Sequence, residues 1–498
     1  MKQLRIALSA DSRADFTNNA AFCVGTGRMG LALHQAYQEQ LALAKELAGF
    51  QYIRGHGLFC DDMAIYQPYT DARGVSHEAY NFTYLDRVMD SYLKLGIRPF
   101  LELGFMPEKM ASGTQTIFYW KGNVTPPSDM DKWTAMVKAT LAHLRDRYGY
   151  DEVCRWPCEV WNEPNLVNFW ENADKAKYLE LYAATAKAVK EVLPDMRVGG
   201  PAICGGEGSQ QWVDDFLRFC RDNQLPLDFV TRHAYMGQQT TKTGRYTYHA
   251  MCAVEDTYQE MKRTREIIDS YPEYRGMEMH ITEFNTSYNP LCPIHDTNLN
   301  AAYIAGLLAC LGDVAASYSY WTFGDVFEES GVPTRPFHGG FGMIAGGLIV
   351  KPTMWTFAFF NCLKGTPVYR DEHAVIACNA DGSYEGVLWN LCREDKRDLC
   401  VSMEMPDGGA HTLLTRIVDE DCCNPLKVWH DMGEPASLSR EELEFLRVAA
   451  QPVCQSRLLK EGEPVQMTLG RNAVMHFKLR PYRPAHEYGY DYEWYNNL

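Results

Sequence analysis

Two glutamates stand in short motifs whose residue types and spacing suit acid–base chemistry. Glu163 lies in Trp161-Asn-Glu-Pro-Asn165, where the proline fixes the chain and Asn162 supplies an amide donor and acceptor. Glu283 lies in Met279-His-Ile-Thr-Glu-Phe-Asn285, and an ion-paired glutamate is the simpler alternative at both positions. Two carboxyl groups facing one cleft, one protonated and one ionised, are the equipment of glycoside hydrolysis.

Other side chains suit a sugar if the fold brings them to the same place. His56, His233 and Tyr235 offer hydrogen bonds to hydroxyl groups, and Trp321 offers an indole face for stacking on a pyranose. Each of these residues alone is more often a packing residue. Together at one end of a fold they predict a binding site.

Three further carboxylates and several missing motifs complete the chemical inventory. Glu328 and Glu329 either reach back into the cleft or form a solvated acidic pair. Glu102 is a rival carboxylate, but no comparable motif surrounds it, and we rank it as structural. The chain has no G-x-S-x-G, H-E-x-x-H or phosphate-loop motif, so we expect neither a metal nor a cofactor.

A glycine-rich segment offers a different interpretation. Gly25-Thr-Gly-Arg-Met-Gly30 matches the G-x-G-x-x-G fingerprint of dinucleotide-binding folds, follows a strand-like run and precedes a helix. That fingerprint also requires an acidic residue about 20 positions later. Arg54 and His56 stand there instead. We therefore prefer a tight loop after a first strand, and keep a dinucleotide-dependent oxidoreductase as a remote alternative.

Eight short β-rich runs alternate with helical patterns through the first two-thirds of the chain. Most candidate residues follow the carboxyl ends of these runs, where (β/α)₈ barrels assemble their sites. This favours a (β/α)₈ (TIM) barrel, an α/β fold, over an open doubly wound sheet. The predicted strands are 22–25, 51–56, 98–103, 157–161, 197–202, 229–233, 278–283 and 317–323. The predicted helices are 35–47, 84–95, 131–148, 173–192, 211–223, 254–271 and 298–311.

The alternation stops near residue 363, and short alternating runs with turn signals follow. These runs predict an appended antiparallel β-sandwich. We assign 15–345 to the barrel, 1–14 and 346–480 to the sandwich, and 481–498 to a C-terminal tail. That tail is rich in tyrosines and contains a tryptophan; these residues include Tyr488, Tyr490 and Trp494. They either dock on their own domain or form a subunit contact.

Composition excludes several classes of protein. The 498 residues carry 48 Lys and Arg against 64 Asp and Glu, a net charge of −16, which argues against a nucleic-acid partner. The longest apolar runs are shorter than the about 20 residues of a transmembrane helix, and 6–10 is too short for an export signal. We expect a cytoplasmic protein with no membrane partner. Its 16 cysteines include no C-x-x-C pair, and we expect reduced, mostly buried thiols.

The motifs together resemble those of glycoside hydrolase family 39, to which bacterial β-xylosidases belong. The resemblance covers the whole predicted barrel and extends more loosely beyond it. The segments that carry it are CVGTGR (23–28), YIRGHGL (52–58), ASGTQT (111–116), WNEPN (161–165), VGGPAIC (198–204), RHAY (232–235), ITEFN (281–285) and FHGGFG (337–342).

The resemblance implies a retaining enzyme in which Glu163 is the general acid/base and Glu283 is the nucleophile. It further implies that Asn162 binds the 2-hydroxyl of the sugar. Other residues are expected to line the glycone pocket: His56, His233, Tyr235, Trp321 and Glu329. The carboxyl groups of a retaining pair lie about 5–5.5 Å apart.

The resemblance also implies a substrate and an assembly. We expect an exo-acting β-D-xylosidase that releases xylose from xylo-oligosaccharides, in a homo-oligomer such as a tetramer. The same mechanism on an arabinoside, β-galactoside, β-glucoside or iduronide is the alternative. A carbohydrate-binding protein without activity is a lesser one, since both glutamates are present.

Overall fold

Eight parallel strands close into a barrel in the computed structural model, which describes residues 1–9, 11–235, 239–405, 408–485 and 489–496. Each strand pairs with the next along the chain, and the eighth pairs with the first. All eight overlap the predicted strands, so the barrel prediction is confirmed. Numbered β1 to β8, they are Cys23–Thr26, Tyr52–Gly55, Arg98–Leu103, Cys158–Val160, Val198–Ile203, Phe229–Ala234, Met279–Phe284 and Ser317–Tyr320.

A helix follows each barrel strand. Seven of the eight helices agree with predicted helices to within a few residues at either end. The helices α1 to α8 are Gln35–Ala48, Thr83–Lys94, Met130–Tyr148, Lys175–Val192, Ser209–Asp222, Val254–Ser270, Asn298–Leu308 and Pro352–Cys362.

The eighth helix was missed because it has no polar face. Every residue of α8 from Pro352 to Phe360 is buried, so its sequence lacks the amphipathic period that marks a surface helix. It packs against α1 and α7 and completes the helical ring. These residues fall within the predicted appended domain, yet the first strand of that domain after the barrel begins at Thr366. We therefore propose that the barrel extends to Cys362 rather than to residue 345.

Side-chain and glycine caps set the bounds of several barrel helices. The Asp129 carboxylate accepts from the amides of Asp131 and Lys132 at the start of α3. At the end of α1, Gly49 has φ +72°, a left-handed conformation that glycine adopts without steric cost. These local signals are readable in the sequence, which explains the agreement of the bounds.

A second group of strands, mostly antiparallel, follows the barrel, as predicted. A three-stranded sheet contains Lys2–Ala7, Leu399–Glu404 and Val465–Leu469, and its first pair is parallel. An antiparallel six-stranded sheet contains, in spatial order, Thr366–Arg370, Ala374–Cys378, Tyr384–Trp389, Val474–Pro481, His411–Val418 and Val453–Leu459. Side chains from both sheets, including Val401 and Phe477, share one buried core.

Shorter elements decorate the barrel and the sheets. Further helices are Tyr150–Val153, Pro425–Asp431, Arg440–Ala449 and Tyr492–Asn496. Further strand pairs are Tyr69–Thr70 with Ser76–His77, Thr116–Ile117 with Gly122–Asn123, Thr240–Thr243 with Tyr246–His249, and Ile344–Ala345 with Ile349–Val350. Short 3₁₀ turns are Met29–Leu33, Asp61–Met63, Glu108–Met110, Glu171–Ala173, Pro293–Asp296 and Leu311–Asp313.

The C-terminal tail leaves aromatic rings exposed. Tyr490 is 74% and Trp494 67% accessible, so neither ring docks on its own chain. Tyr488 lies outside the described residues. The part of the chain that the structure describes has no helix long and apolar enough to cross a membrane. All 16 cysteines are free thiols, and eight of them are buried, which is fewer than the mostly buried set that we expected.

Candidate active site

Glu163 is presented by a strained loop that follows β4. Trp161 has φ +69° and Glu163 has φ +46°, conformations that side-chain-bearing residues adopt only where the surroundings hold them. The Glu163 amide donates to the carbonyl of Ala202 at 2.9 Å. Asn165 and Cys204 exchange two hydrogen bonds of 3.0 Å, which tie the same loop to the end of β5. The loop therefore fixes where the carboxyl group points.

The structure brings Glu163 and Glu283 together at the carboxyl end of the barrel. His233 on β6 lies between them, with Nδ1 2.7 Å from Glu163 Oε1 and 3.6 Å from Glu283 Oε2. One polar atom from each of the three side chains lies within 4.8 Å of the other two. All three residues are buried, with exposures of 5% or less. Two carboxyl groups this close in a low-dielectric site cannot easily both be ionised.

The carboxylate of Glu283 is held at both oxygens. Arg54 Nη1 lies 2.6 Å from Oε1, and the Tyr235 hydroxyl donates to Oε2 at 2.8 Å. This arrangement fixes the carboxylate in one orientation and places a positive charge beside it. The Arg54 guanidinium beside the carboxylate also disfavours binding of a cation at Glu283.

The neighbouring Glu163 has the opposite electrostatic environment. Burial, and then the negative charge of Glu283, raise the pKa of Glu163 well above its usual range. The pKa of His233 is lowered well below its usual range by burial and by the charge of Arg54, so its imidazole stays neutral. In this pair, Glu163 is suited to donate a proton, and Glu283 accepts hydrogen bonds from two donors.

Arg54, at the end of β2, organises the floor of the site. Its Nε lies 2.7 Å from Glu159 Oε2, its Nη2 lies 2.8 Å from Asn162 Oδ1, and Nη2 is also 3.0 Å from Glu102 Oε2. Burial alone would lower the pKa of Arg54, but Glu159, Glu102 and Glu283 together raise it. In the sequence, Arg54 lies in the segment YIRGHGL (52–58) and stands where a dinucleotide fold needs an acid, but it was not assigned to the site.

Glu102 also belongs to this floor. Its Oε2 lies 2.9 Å from His56 Nδ1, so it orients the imidazole from behind. Thr282 Oγ1 donates to Glu159 Oε1 at 2.9 Å in the same layer. Glu102 contacts both His56 and Arg54, a supporting position that is consistent with its ranking as structural. No sequence signal marked Glu159, which reads as an ordinary strand residue.

Trp321 forms an aromatic wall beside the two glutamates. Its ring centroid lies 4.6 Å from that of His56, and Phe327 meets its face edge-on at 6.0 Å. A Cβ on Gly25 would lie 2.6 Å from Trp321 Cε3, and one on Gly27 would lie 2.9 Å from Phe327 Cδ2. The glycine-rich motif therefore makes room for this wall, which is a sufficient reason for those glycines.

The two adjacent acids of the last barrel loop behave differently. Glu328 pairs with Arg28, Oε2 to Nη2 at 2.6 Å, and so points away from the cluster. Glu329 Oε1 lies 3.9 Å from His56 Nε2. Burial, then the charges of Glu283 and Glu163, raise the pKa of Glu329 well above its usual range. The structure thus brings Glu329, and not Glu328, to the predicted site.

Three buried polar side-chain atoms of the site and its floor lack a hydrogen-bond partner among the described residues. They are Asn162 Nδ2, His233 Nε2 and Glu102 Oε1. Buried donors are nearly always satisfied, so unpaired ones at a site indicate groups that a ligand completes. Hydroxyl groups of a sugar are acceptors of the required kind. All eight residues of the predicted site lie in this one cluster.

Comparisons with known proteins identify the family of this chain. A family model described as "Glycosyl hydrolases family 39" matches residues 4–463. A β-xylosidase of Geobacillus stearothermophilus is 47% identical over 478 residues, 94% of each chain. A monomeric β-xylosidase of Caulobacter crescentus CB15 superposes with a TM-score of 0.87 at 32% identity, covering 96% of this chain and 100% of that one. Human α-L-iduronidase is 30% identical over 83% of this chain and 68% of its own. These matches show that the chain belongs to glycosyl hydrolase family 39 and is a glycoside hydrolase.

Proposed function

We propose that this protein is an exo-acting, retaining β-D-xylosidase that removes xylose from the non-reducing ends of xylo-oligosaccharides. The observation that carries the proposal is the buried Glu163–His233–Glu283 cluster, with Arg54 and Tyr235 donating to Glu283. The β-xylosidase relatives support the choice of sugar.

In the first step, Glu283 attacks the anomeric carbon while Glu163 protonates the departing oxygen. Glu163 suits this role because its raised pKa keeps the proton on the carboxyl group near neutral pH. Arg54 and Tyr235 keep the Glu283 oxygens aligned for attack. The products of the step are a covalent xylosyl-Glu283 ester and the shortened oligosaccharide.

In the second step, water hydrolyses the ester and Glu163 acts as the base. Departure of the first leaving group takes the proton from Glu163, so the ionised carboxylate is then ready to receive one from water. The close approach of the Glu163, His233 and Glu283 polar atoms, all within 4.8 Å, supports retention. An inverting pair stands about 6.5–9.5 Å apart to admit a water molecule.

The charge of the pocket favours a neutral sugar over an iduronide. Carboxyl groups of Glu163, Glu283 and Glu329 surround the cluster, while the Arg54 guanidinium is already shared among buried carboxylates. These acids would repel the carboxylate of an iduronide. Among the described residues of the cluster, no cation is free to pair with that carboxylate. Exo action is supported by Trp321, which with Phe327 closes one side of the site.

The proposal extends to assembly and location. We propose a homo-oligomer because Tyr490 and Trp494 are exposed on the tail, whereas the Caulobacter relative is described as monomeric. Light scattering of the intact chain and of a chain ending at residue 481 tests this contact. We also propose that the protein acts in the cytoplasm on imported oligosaccharides.

Hydrolysis of a matched panel of p-nitrophenyl glycosides tests the proposed function. The panel comprises the β-xyloside, α-arabinosides, β-glucoside, β-galactoside and β-glucuronide, with product configuration followed by NMR. We expect preference for the β-xyloside with retention. Preference for another sugar would change the assigned substrate but not the proposed mechanism. Inversion of configuration would overturn the role of Glu283 as nucleophile. NAD(P)H titration is the control for the dinucleotide alternative.

A further inference from the structure

A polar cluster lies outside the active site, at the contact between α8 of the barrel and the six-stranded sheet. Cys362, the last residue of α8, rests on the face of that sheet. Three central strands contribute charged or titratable side chains to this face: Glu385, Arg416, and His476 with Lys478. Arg416 is paired directly with His476 in the register of their strands. The fold therefore assembles a cysteine, a histidine, a glutamate and an arginine from four elements.

The contacts of the cluster form a continuous chain. Arg416 Nη2 donates to Cys362 Sγ at 3.1 Å and lies 3.3 Å from His476 Nδ1. His476 Nε2 lies 2.9 Å from Glu385 Oε1, so the carboxylate orients the imidazole. His476 and Glu385 are buried, while Cys362 keeps partial exposure to solvent. A cysteine beside a histidine that a carboxylate orients is the arrangement that activates thiol nucleophiles.

Charge distinguishes this cysteine from the other partly exposed ones. Burial alone would raise the pKa of Cys362, but the hydrogen bond from His476 and the charges of His476 and Arg416 lower it. Cys154 and Cys422 are also partly exposed, and burial raises the pKa of each. Burial would lower the pKa of His476, but its hydrogen bonds to Cys362 and Glu385 raise it. Arg416 donates to Nδ1 of His476 and to Sγ of Cys362, so the lowered pKa of Cys362 favours a thiolate that faces the Arg416 guanidinium.

A metal ion is the competing occupant of these side chains. One ligand atom each from Cys362, Glu385 and His476 lies within 4.8 Å of the others. However, the Arg416 guanidinium already lies against both Sγ and the imidazole, and Lys478 Nζ is 3.7 Å from Glu385 Oε2. Two fixed positive charges repel a divalent cation and attract an anionic reagent.

We propose that Cys362 is a reactive thiolate site that exchanges with small anionic disulfides. In the exchange, the Cys362 thiolate attacks one sulfur of the disulfide and forms a mixed disulfide with it. The sulfur–sulfur bond of the reagent breaks, and its other half leaves as a thiolate. The disulfide is thereby half reduced and Cys362 is oxidised, so no further oxidant is needed. Arg416 faces the incoming negative charge.

Two measurements on the intact protein test the proposal. Oxidised glutathione is added at neutral pH, and the modified cysteine is identified by peptide mass spectrometry at short times. Alkylation by iodoacetamide is then followed across pH for each cysteine peptide. We expect Cys362 to form the first mixed disulfide, and its alkylation to rise with a midpoint below the about 8.5 of an ordinary thiol. Cys454, which is exposed, serves as the internal control in the same digest.

A substitution separates activation from mere accessibility. His476→Gln is expected to slow the modification of Cys362 at pH 7 by about threefold for each unit by which the thiol pKa rises above 7, because the smaller thiolate fraction is partly offset by the greater nucleophilicity of a more basic thiolate. The matched control is His411→Gln, which replaces another buried histidine of the same sheet. If His476→Gln fails to fold, the pH dependence of Cys362 alkylation in the unsubstituted protein still tests whether the thiol is activated.

Three results would overturn the proposal. One is earlier modification of Cys454 than of Cys362, and another is a midpoint for Cys362 at or above 8.5. The third is protection of Cys362 from iodoacetamide by one equivalent of Zn²⁺, which would make the cluster a metal site. Glycosidase activity is expected to survive Cys362→Ser, since the cluster lies outside the active site.

Discussion

Arg54 and Glu283 form an ion pair inside the barrel, with Nη1 2.6 Å from Oε1 and side-chain exposures of 0% and 5%. Arg54 is held in turn by Glu159 and Glu102. Because its guanidinium has a planar fork of donors, it bridges these carboxylates at once, which a lysine cannot do. The proposed nucleophile is thus oriented by a residue whose own position is fixed from behind.

Arg54→Met is expected to lower the free energy of unfolding by about 3–5 kcal/mol, because it leaves buried carboxylates without their cation. Urea denaturation measures the change. The control is Arg98→Met, which breaks a half-exposed pair with Glu152 and is expected to cost about 0–1 kcal/mol. Equal stability of Arg54→Met and the unsubstituted protein would refute this account of the barrel floor.

Glu163→Ala is expected to lower kcat/KM by about 10²–10⁴-fold on glycosides with poor leaving groups, and less on activated ones. Azide is expected to restore turnover with formation of a β-xylosyl azide. The proton that Glu163 donates is lost as pH rises through its raised pKa, so activity falls on the alkaline side. The variant should lack this alkaline fall with activated substrates. Equal losses on both kinds of leaving group would argue against an acid role.

Trp321→Ala is expected to raise KM and lower kcat for xylosides, because it removes the indole face that we propose stacks on the sugar. Trp321→Phe keeps an aromatic face and is the matched control, with a smaller effect on both constants. Steady-state kinetics on p-nitrophenyl β-xyloside measure the split. Unchanged constants in the alanine variant would show that the wall formed with Phe327 does not contact the glycone.

Lys351→Met is expected to destabilise the protein by about 3–5 kcal/mol. Lys351 Nζ is fully buried and lies 2.6 Å from Asp296 Oδ1 and 2.7 Å from Asp325 Oδ2, so the substitution strands two buried carboxylates. Lys175→Met, in a half-exposed pair with Asp215, is the control and should cost little. If adding Asp296→Asn and Asp325→Asn fails to restore part of the lost stability, the cause lies elsewhere.

The sequence predicts the barrel well because its signals are local. Strand patterns, amphipathic helices and caps such as Asp129 are each readable within a few residues. The helix Pro352–Cys362 escapes because burial on all sides removes its period. The parallel pairing of Lys2–Ala7 with Leu399–Glu404 joins the start of the chain to a strand far along it, and no local pattern encodes it.

The residues of the candidate site likewise differ in how far local sequence reveals them. Glu163 and Glu283 are found because each stands in a distinctive motif at a strand end. Arg54 and Glu159 were not predicted as site residues. In sequence, a polar side chain that points into a barrel looks like any alternating strand position. Their importance appears only when Arg54 is seen against several carboxylates from different strands.

The most direct test of the central claim is to trap the covalent intermediate. The protein is incubated with 2,4-dinitrophenyl 2-deoxy-2-fluoro-β-xyloside, and its intact mass and labelled peptide are measured by mass spectrometry. We predict one fluoroxylosyl group per chain, attached to Glu283, with loss of activity in step with labelling. A label on Glu163 or another residue, or steady turnover without a label, would contradict the account.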